Sequence, residues 1–212
     1  MRVVSLSGKR IGLALTGSHC TLAEVVGQVP RLVEAGADVL PILSASVANE
    51  RTRFGTPEHW RQTLADATGK KPLETIPEVE PIGPGRLLDV LVIAPCTGTT
   101  LAKLANGVSD GPVLMAAKAH LRNGRPVVIG ISTNDGLSMN ARNLGTLLNA
   151  KNVFFVPFGQ DAPFEKRNSL VARIELLVDT IEEALEGRQL QPVLRGPAGF
   201  GGQEGKSTGP GK

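Results

Sequence analysis

The 212-residue sequence has no tyrosine, one tryptophan and six phenylalanines. It therefore lacks the aromatic platforms on which nucleic-acid bases stack. Its two cysteines, Cys20 and Cys96, are too few for a disulfide framework and suit a reducing cytoplasm. No apolar run approaches the length of about 18 residues that a membrane span needs. The opening "MRVVSLSGKR" is too short and polar for a signal peptide. Charge is also sparse, at 20% of residues with a net +3. Much of that excess lies at the end of the chain, where Arg195, Lys206 and Lys212 face only Glu204. The pI of 9.1 thus describes a nearly neutral body with a basic tag, not a stripe that tracks phosphates.

Certain motifs are missing too. A dinucleotide fingerprint requires G-x-G-x-x-G after the first strand. Here only Gly12 and Gly17 occupy that region, and Gly12 falls inside the strand. The P-loop with its lysine is absent, and no His, Cys and carboxylate spacing suggests a zinc site. NAD or NADP bound in the usual mode is disfavoured, and a mononucleotide fits better.

What is present is an alternation of short apolar runs with helical periodicity. Strand-like runs cover 10–16, 38–44, 89–94, 126–132 and 152–158, with a weaker one at 72–76. Their nearly unbroken apolarity predicts strands covered on both faces, hence parallel. The first helix is expected from Thr21, where Thr21-x-x-Glu24 reads as a capping box, with Pro30 kinking it or setting it at an edge. A second has Thr56 as N-cap, Pro57 at the first position and Gly69 past its end. Others are expected at 100–105, 112–122, 138–150 and 169–185. This order predicts an α/β fold, a Rossmann-like or flavodoxin-like doubly wound sheet of about six strands with helices on both faces. Residues 1–194 read as one domain. The Gly-rich stretch 195–212 has little to bury and reads as a disordered tail.

Ligands of such a sheet bind beyond the carboxyl ends of its strands. Small hydroxyl residues gather at four of those tips: Thr16-Gly17-Ser18, Ser44-Ala45-Ser46, Thr97-Gly98-Thr99 and Ser132-Thr133. Several tips lead into helix starts, where free N–H groups attract an anion. Any one of these hydroxyls alone would read as an N-cap. Four together suggest a phosphate held by neutral donors, with Gly17 letting the backbone approach. His19 and Cys20 then stand at the pocket mouth, His19 as a proton acceptor or donor or else as a helix-start residue bonded to a loop. Cys20 and Cys96 either face one another across the site or are small buried thiols. His59 and His120 fall in helices away from the tips.

The run "APCTGTTLAKLANGVSDGPVLMAAKA", residues 94–119, resembles the flavoprotein family that includes the homo-oligomeric flavin-containing cysteine decarboxylases. Their motif P-A-S-A-N-T likewise precedes A-K-x-A-N-G-x-x-D. The stretches 14–21, 52–55, 113–119, 130–135 and 154–164 resemble one branch of it. The resemblance implies a Rossmann-like sheet, FMN and trimer-based homo-oligomers. For the branch it implies cytoplasmic work in the mother cell of a sporulating bacterium. There an A subunit shares the conversion of dihydrodipicolinate to dipicolinate, and NAD or NADP would come with that partner. The decarboxylases' histidine before the fourth strand has no counterpart in 79–89, which argues against decarboxylation of a cysteine-containing substrate. Thr99 stands where their motif has Asn. Of their substrate clamp P-x-M-N-x-x-M-W only Met139 and Asn140 remain. Asn140 would bind one carboxylate, and neighbouring Arg142, if not simply solvated, a second through its fork geometry. Two roles stay open for the chain, a redox subunit or a non-catalytic substrate-binding or structural one.

Overall fold

The structure, a computed structural model, describes residues 6–196. Seven strands form one sheet: β1 (Arg10–Leu15), β2 (Asp38–Leu43), β3 (Val90–Cys96), β4 (Val127–Thr133), β5 (Val153–Phe155), β6 (Phe158–Gly159) and β7 (Leu170–Ala172). Their order is β2-β1-β3-β4-β7-β6, with β5 pairing β4. From β2 to β5 every pair is parallel. At its carboxyl end β4 leaves β5 and pairs antiparallel with β7, Ser132 opposite Val171 and Thr133 opposite Leu170. The central strands are buried along their length except at Thr133, the last residue of β4, as their unbroken apolarity predicts.

The helices are α1 (His19–Val26), α2 (Val29–Glu34), α3 (Ala45–Asn49), α4 (Pro57–Thr68), α5 (Ile76–Val79), α6 (Gly98–Ala105), α7 (Pro112–Arg122), α8 (Ala141–Leu148) and α9 (Leu177–Leu185). The chain leaves β1 toward β2 on one side but leaves β3 toward β4 on the other. With right-handed crossovers, the two sets of connecting helices must then cover opposite faces. Accordingly α1 and α9 pack on β3, while α7 packs across β2, β3 and β4. The reversal between β1 and β3 is the switch point, so their carboxyl tips open the crevice where a ligand belongs.

Helix α4 forms as expected. The Thr56 hydroxyl accepts from the His59 amide, Pro57 opens the helix, and Gly69 ends it at φ 69°. Elsewhere tertiary context moves the boundaries. Helix α1 starts at His19, because the Thr21 hydroxyl donates to the Ser18 carbonyl and to Ser132 Oγ instead of forming a capping box. The break falls at Gly27–Gln28, and Pro30 sits in the first turn of α2. The weak run 72–76 contributes a single bridge, Leu73 to Ile42, before α5. Pro157, with no N–H to donate, separates β5 from β6 within 152–158. The largest departure is 169–185, expected as one helix. Its first residues instead form β7 and a 3-10 turn, Ile174–Leu176, ahead of α9. The unpaired edge of β4 recruits them, and Leu170 and Ala172 are buried on either side of a half-buried Val171.

The described chain passes the expected boundary at Leu194 by two residues; the rest of the expected tail lies outside the described residues. Leu194 bridges Phe158, the Arg195 amide donates to the Phe158 carbonyl, and Arg173 donates to the Gly196 carbonyl. Truncation directly after Gly196 is therefore expected to leave Tm unchanged. Truncation after Pro192 should lower it by several degrees, at about 2–4 °C per kcal/mol for a chain of this size. Thermal melts of the two variants check both outcomes.

Candidate active site

Two clefts open at the carboxyl ends of β1 and β3, and they share Gly17 and Thr97. Each encloses about 530 Å³, within the range of small-molecule sites. The first is lined by Ser44, Ser46, Thr99 and Thr100, and closed by a wall of Pro112, Val113 and Leu114. Lys103 and Asp110 join across it at 2.6 Å, and that hydrogen bond lowers the Asp110 pKa. The second is lined by Ser18, Cys20, Thr21, Ser132, Thr133 and Asn134, then by Asp161, Lys166, Ser169 and Arg173. Lys166 pairs with Asp161 at 3.1 Å. Burial raises the Asp161 pKa, but hydrogen bonds from Ser169 and Lys166 outweigh it and the net shift is downward.

The tips are tied together by their own hydroxyls. Thr16 is buried; its hydroxyl donates to the Pro95 carbonyl at 2.7 Å and accepts from the Thr97 amide at 3.0 Å. Its proton is committed to joining β1 to β3 and does not open toward a ligand. Ser18 and Ser132 share a hydrogen bond of 2.7 Å, as Ser44 and Ser46 do at 3.0 Å. The Thr97 hydroxyl accepts from the Thr100 amide and caps α6. Gly17 has no positive φ, so its role here is spatial. A Cβ there would lie 2.5 Å from Ser46 Oγ.

Gly98 meets a denser wall. A Cβ would stand 2.5 Å from both Asp135 Oδ1 and Thr133 Oγ1, and 2.7 Å from Asn140 Nδ2. Those atoms belong to one chain of bonds. Thr133 Oγ1 donates to Asp135, Asn140 Nδ2 donates to the other Asp135 oxygen, and Asn143 Nδ2 donates to Asn140 Oδ1. Asn140 is buried behind the tip of β3 with its amide engaged, while Arg142 is exposed and lines neither cleft. The structure does not bring these two together on a ligand at either cleft of their own chain.

The two cysteines part company. Cys20 is exposed at the second cleft, 3.9 Å from Ser18 Oγ. Cys96 is fully buried, and burial pushes its thiol up to about 12. It therefore carries no thiolate at neutral pH and does not face Cys20 across the site. His19 lies beside Gly17 but lines neither cleft, so it does not stand at the pocket mouth; among the described residues neither of its ring nitrogens has a hydrogen-bond partner. His120 is buried in α7 and His59 is exposed. Among the described residues no cluster of His, Cys, Asp and Glu could hold a metal ion, and no helix is long and apolar enough to cross a membrane.

Sequence reasoning did not find Lys103, Asp110, Lys166, Ser169 or Arg173. The first two are the Lys and Asp of A-K-x-A-N-G-x-x-D, seven residues apart, which was a usable signal. The others had none, since Ser169 and Arg173 lie where a helix was expected and Lys166 in the connection before it.

The Flavoprotein family model matches residues 3–186. The dipicolinate synthase B subunit of Bacillus subtilis (strain 168) is 54% identical over 190 residues, covering 90% of this chain and 95% of its own length. The crystal structure of the dipicolinate synthase B subunit from Bacillus halodurans is 50% identical, with a TM-score of 0.84 over 91% of this chain and 99% of that one. An FMN-dependent cysteine decarboxylase, SpaF, matches over 85% of this chain and 98% of its own with a TM-score of 0.59. Its identity of 17% makes that likeness one of fold. The chain belongs to the Flavoprotein family, in the branch of the dipicolinate synthase B subunits.

Proposed function

We propose that this chain is the flavin-binding subunit of a dipicolinate synthase and removes hydrogen from dihydrodipicolinate together with a dipicolinate synthase A subunit. The observation that carries the reading is the meeting of two clefts on Gly17 and Thr97 at the switch point. Two ligands seated in them would share a wall no thicker than a glycine and a threonine. The residues fit a flavin mononucleotide in the first cleft. Gly17 leaves room there, Ser44, Ser46 and Thr99 offer hydroxyls, and Pro112, Val113 and Leu114 give an apolar wall for a ring. Thr97 and Gly98 set the helix start beneath it, and Thr16 fixes the spacing of the two tips. When bound, the flavin would supply an acceptor for the hydride that leaves the dihydropyridine, whose aromatisation drives the reaction. NAD or NADP would belong to the partner and reoxidise the system from there.

The dicarboxylate belongs in the second cleft. Ser132, Thr133 and Asn134 line one side, and Arg173 and Lys166 stand opposite. Lys166 is neutralised by Asp161, whereas the Arg173 side chain meets, among the described residues, only the Gly196 carbonyl and keeps donors for a carboxylate. Bound product would exclude water from the Ser18–Ser132 pair. A homo-oligomer would give cover to Leu137, Met139 and Phe164, which are 47%, 72% and 82% exposed.

The visible spectrum of the purified chain tests the flavin. Flavin absorption on isolation, or on adding FMN, is the expected result. A colourless protein that takes up no FMN would favour a purely structural or substrate-binding role. In the two-subunit enzyme, Arg173→Ala is expected to raise KM for the dicarboxylate about tenfold, as for loss of one charge-assisted bond of roughly 1.5–3 kcal/mol. Arg142→Ala should stay near wild type. The reverse result would move the carboxylate subsite to the exposed face of α8.

A further inference from the structure

We propose that Thr133, backed by Asp135, is the catalytic residue that takes the proton released as the dihydropyridine becomes aromatic, a role that rests on the reading above. Aromatisation removes one hydride and one proton from the ring. The hydride leaves with its electron pair for the flavin, and the proton needs a basic atom within hydrogen-bond reach. Thr133 lines the second cleft, and its hydroxyl donates to Asp135 Oδ1 at 2.5 Å. With that proton committed, the hydroxyl oxygen has only acceptor sites left for a ligand. Asp135 lines neither cleft and acts through Thr133, as a positioning residue. Its other oxygen accepts from Asn140 Nδ2 at 2.8 Å. Asn140 in turn accepts from Asn143, and Asn143 from Asn106 of α6 at 3.3 Å. The carboxylate is thus held by donors on both oxygens and kept turned to Thr133.

The pair stands at the wall the two clefts share. Gly98 lines the second cleft next to Thr97, which lines both. A Cβ on Gly98 would stand 2.5 Å from Asp135 Oδ1 and from Thr133 Oγ1 alike, so the absent side chain lets their hydrogen bond lie directly against this wall. Other groups around the second cleft could take a proton, but Cys20, Glu24 and Glu175 are exposed to solvent, and Asp161 is engaged by Lys166. The step balances. As the hydride departs, a second ring C–H bond breaks and its electron pair stays behind to complete the aromatic system. Its proton goes to Thr133 Oγ while the hydroxyl's own proton passes to Asp135. The resulting carboxylic acid returns it to water after the product leaves.

The test combines kinetics of the two-subunit enzyme with calorimetric titration of the full chain by dipicolinate. Asp135→Asn keeps the shape and can still accept from Asn140, but its amide donates to Thr133 and turns the hydroxyl proton toward the ligand. It is expected to lower kcat about a hundredfold or more, the usual worth of a general base, with KM within about threefold of wild type. It should bind dipicolinate at least as tightly as wild type, because a hydroxyl donor then meets the carboxylates. Thr133→Val is expected to lose kcat to a similar extent, and Thr133→Ser, which keeps the hydroxyl, to stay within about tenfold of wild type. Thermal melts check that each variant folds; should Asp135→Asn fail to, the valine and serine pair decides alone. A kcat within about threefold of wild type for Asp135→Asn or Thr133→Val would overturn the assignment. So would a loss of kcat matched by an equal loss of dipicolinate affinity, the mark of residues that only shape the cleft. A serine variant as slow as the valine one would overturn it as well. All three results leave the function proposed above standing, since wild type still turns over. A wild-type chain that binds no dipicolinate and gives no turnover with the A subunit would overturn that function, and the proton acceptor with it.

Discussion

Gly98→Val is expected to lower Tm by roughly 10 °C and to disrupt the binding of any ligand at the tip of β3. The first atom of the new side chain would meet Asp135, Thr133 and Asn140 at 2.5–2.7 Å. None of the three can retreat alone, since each is bonded to the next and Asn140 continues to Asn143. The backbone of α6 has to move instead, and Thr97 with it. Overpacking costs about 1–3 kcal/mol, and each broken buried hydrogen bond about 1–3 kcal/mol more. At about 2–4 °C per kcal/mol, a loss of around 4 kcal/mol gives the stated shift. Gly98→Ala should act in the same direction with a smaller shift. A thermal melt followed by circular dichroism is sufficient. A valine variant melting within about 2 °C of wild type would mean that this network gives way freely and does not set the position of α6.

Acid is expected to destabilise the protein in two steps, the first belonging to His120. Burial, helped by the nearby Arg125 charge, lowers the His120 pKa from its ordinary 6.5 to about 4. As pH falls from about 6.5 to about 4, the unfolded chain takes up a proton that the native state refuses. Stability present above pH 6.5 is thereby lost, by up to about 3 kcal/mol at about 1.4 kcal/mol per unit. The second step belongs to Asp89. Its hydrogen bonds to the Arg10 guanidinium, at 2.9 Å and 3.2 Å, hold its carboxyl at about 2 against an ordinary 3.8. That contribution, about 2 kcal/mol, is present above about pH 4 and disappears as pH falls through about 2. Urea melts of wild type and His120→Gln across pH 7 to 4 separate the steps, because the variant should lose the slope between 6.5 and 4. An unchanged slope would place the acid sensitivity elsewhere.

The doubly wound sheet could be read from β-branched runs alternating with helical periodicity, because strands buried on both faces need apolar side chains at nearly every position. The same logic exposed the crevice, since the hydroxyl-rich tips at Thr16–Ser18, Ser44–Ser46, Thr97–Thr99 and Ser132–Thr133 come straight after those runs. Helix α4 was legible to the residue, as Thr56, Pro57 and Gly69 act within one turn of where they stand in the chain.

Long-range demands decided the rest. Residues 170–172 have no strong strand signal of their own and extend only because the end of β4 offers an unpaired edge. With them Arg173 and Ser169 arrive at the second cleft. Sequence could name Thr16, Asn140 and Arg142 by type, but not their partners. Thr16 is taken by the Pro95 carbonyl 79 residues away, Asn140 by Asp135 and Asn143 behind Gly98, and Arg142 faces solvent. Cys20 and Cys96 likewise differ only in burial, which makes one a surface thiol and drives the other's pKa to about 12. The local chain thus determines which elements form and which chemical groups stand at their ends. Whether a given hydroxyl, amide or imidazole is still free for a ligand depends on atoms from distant segments, and those meet only in the folded sheet.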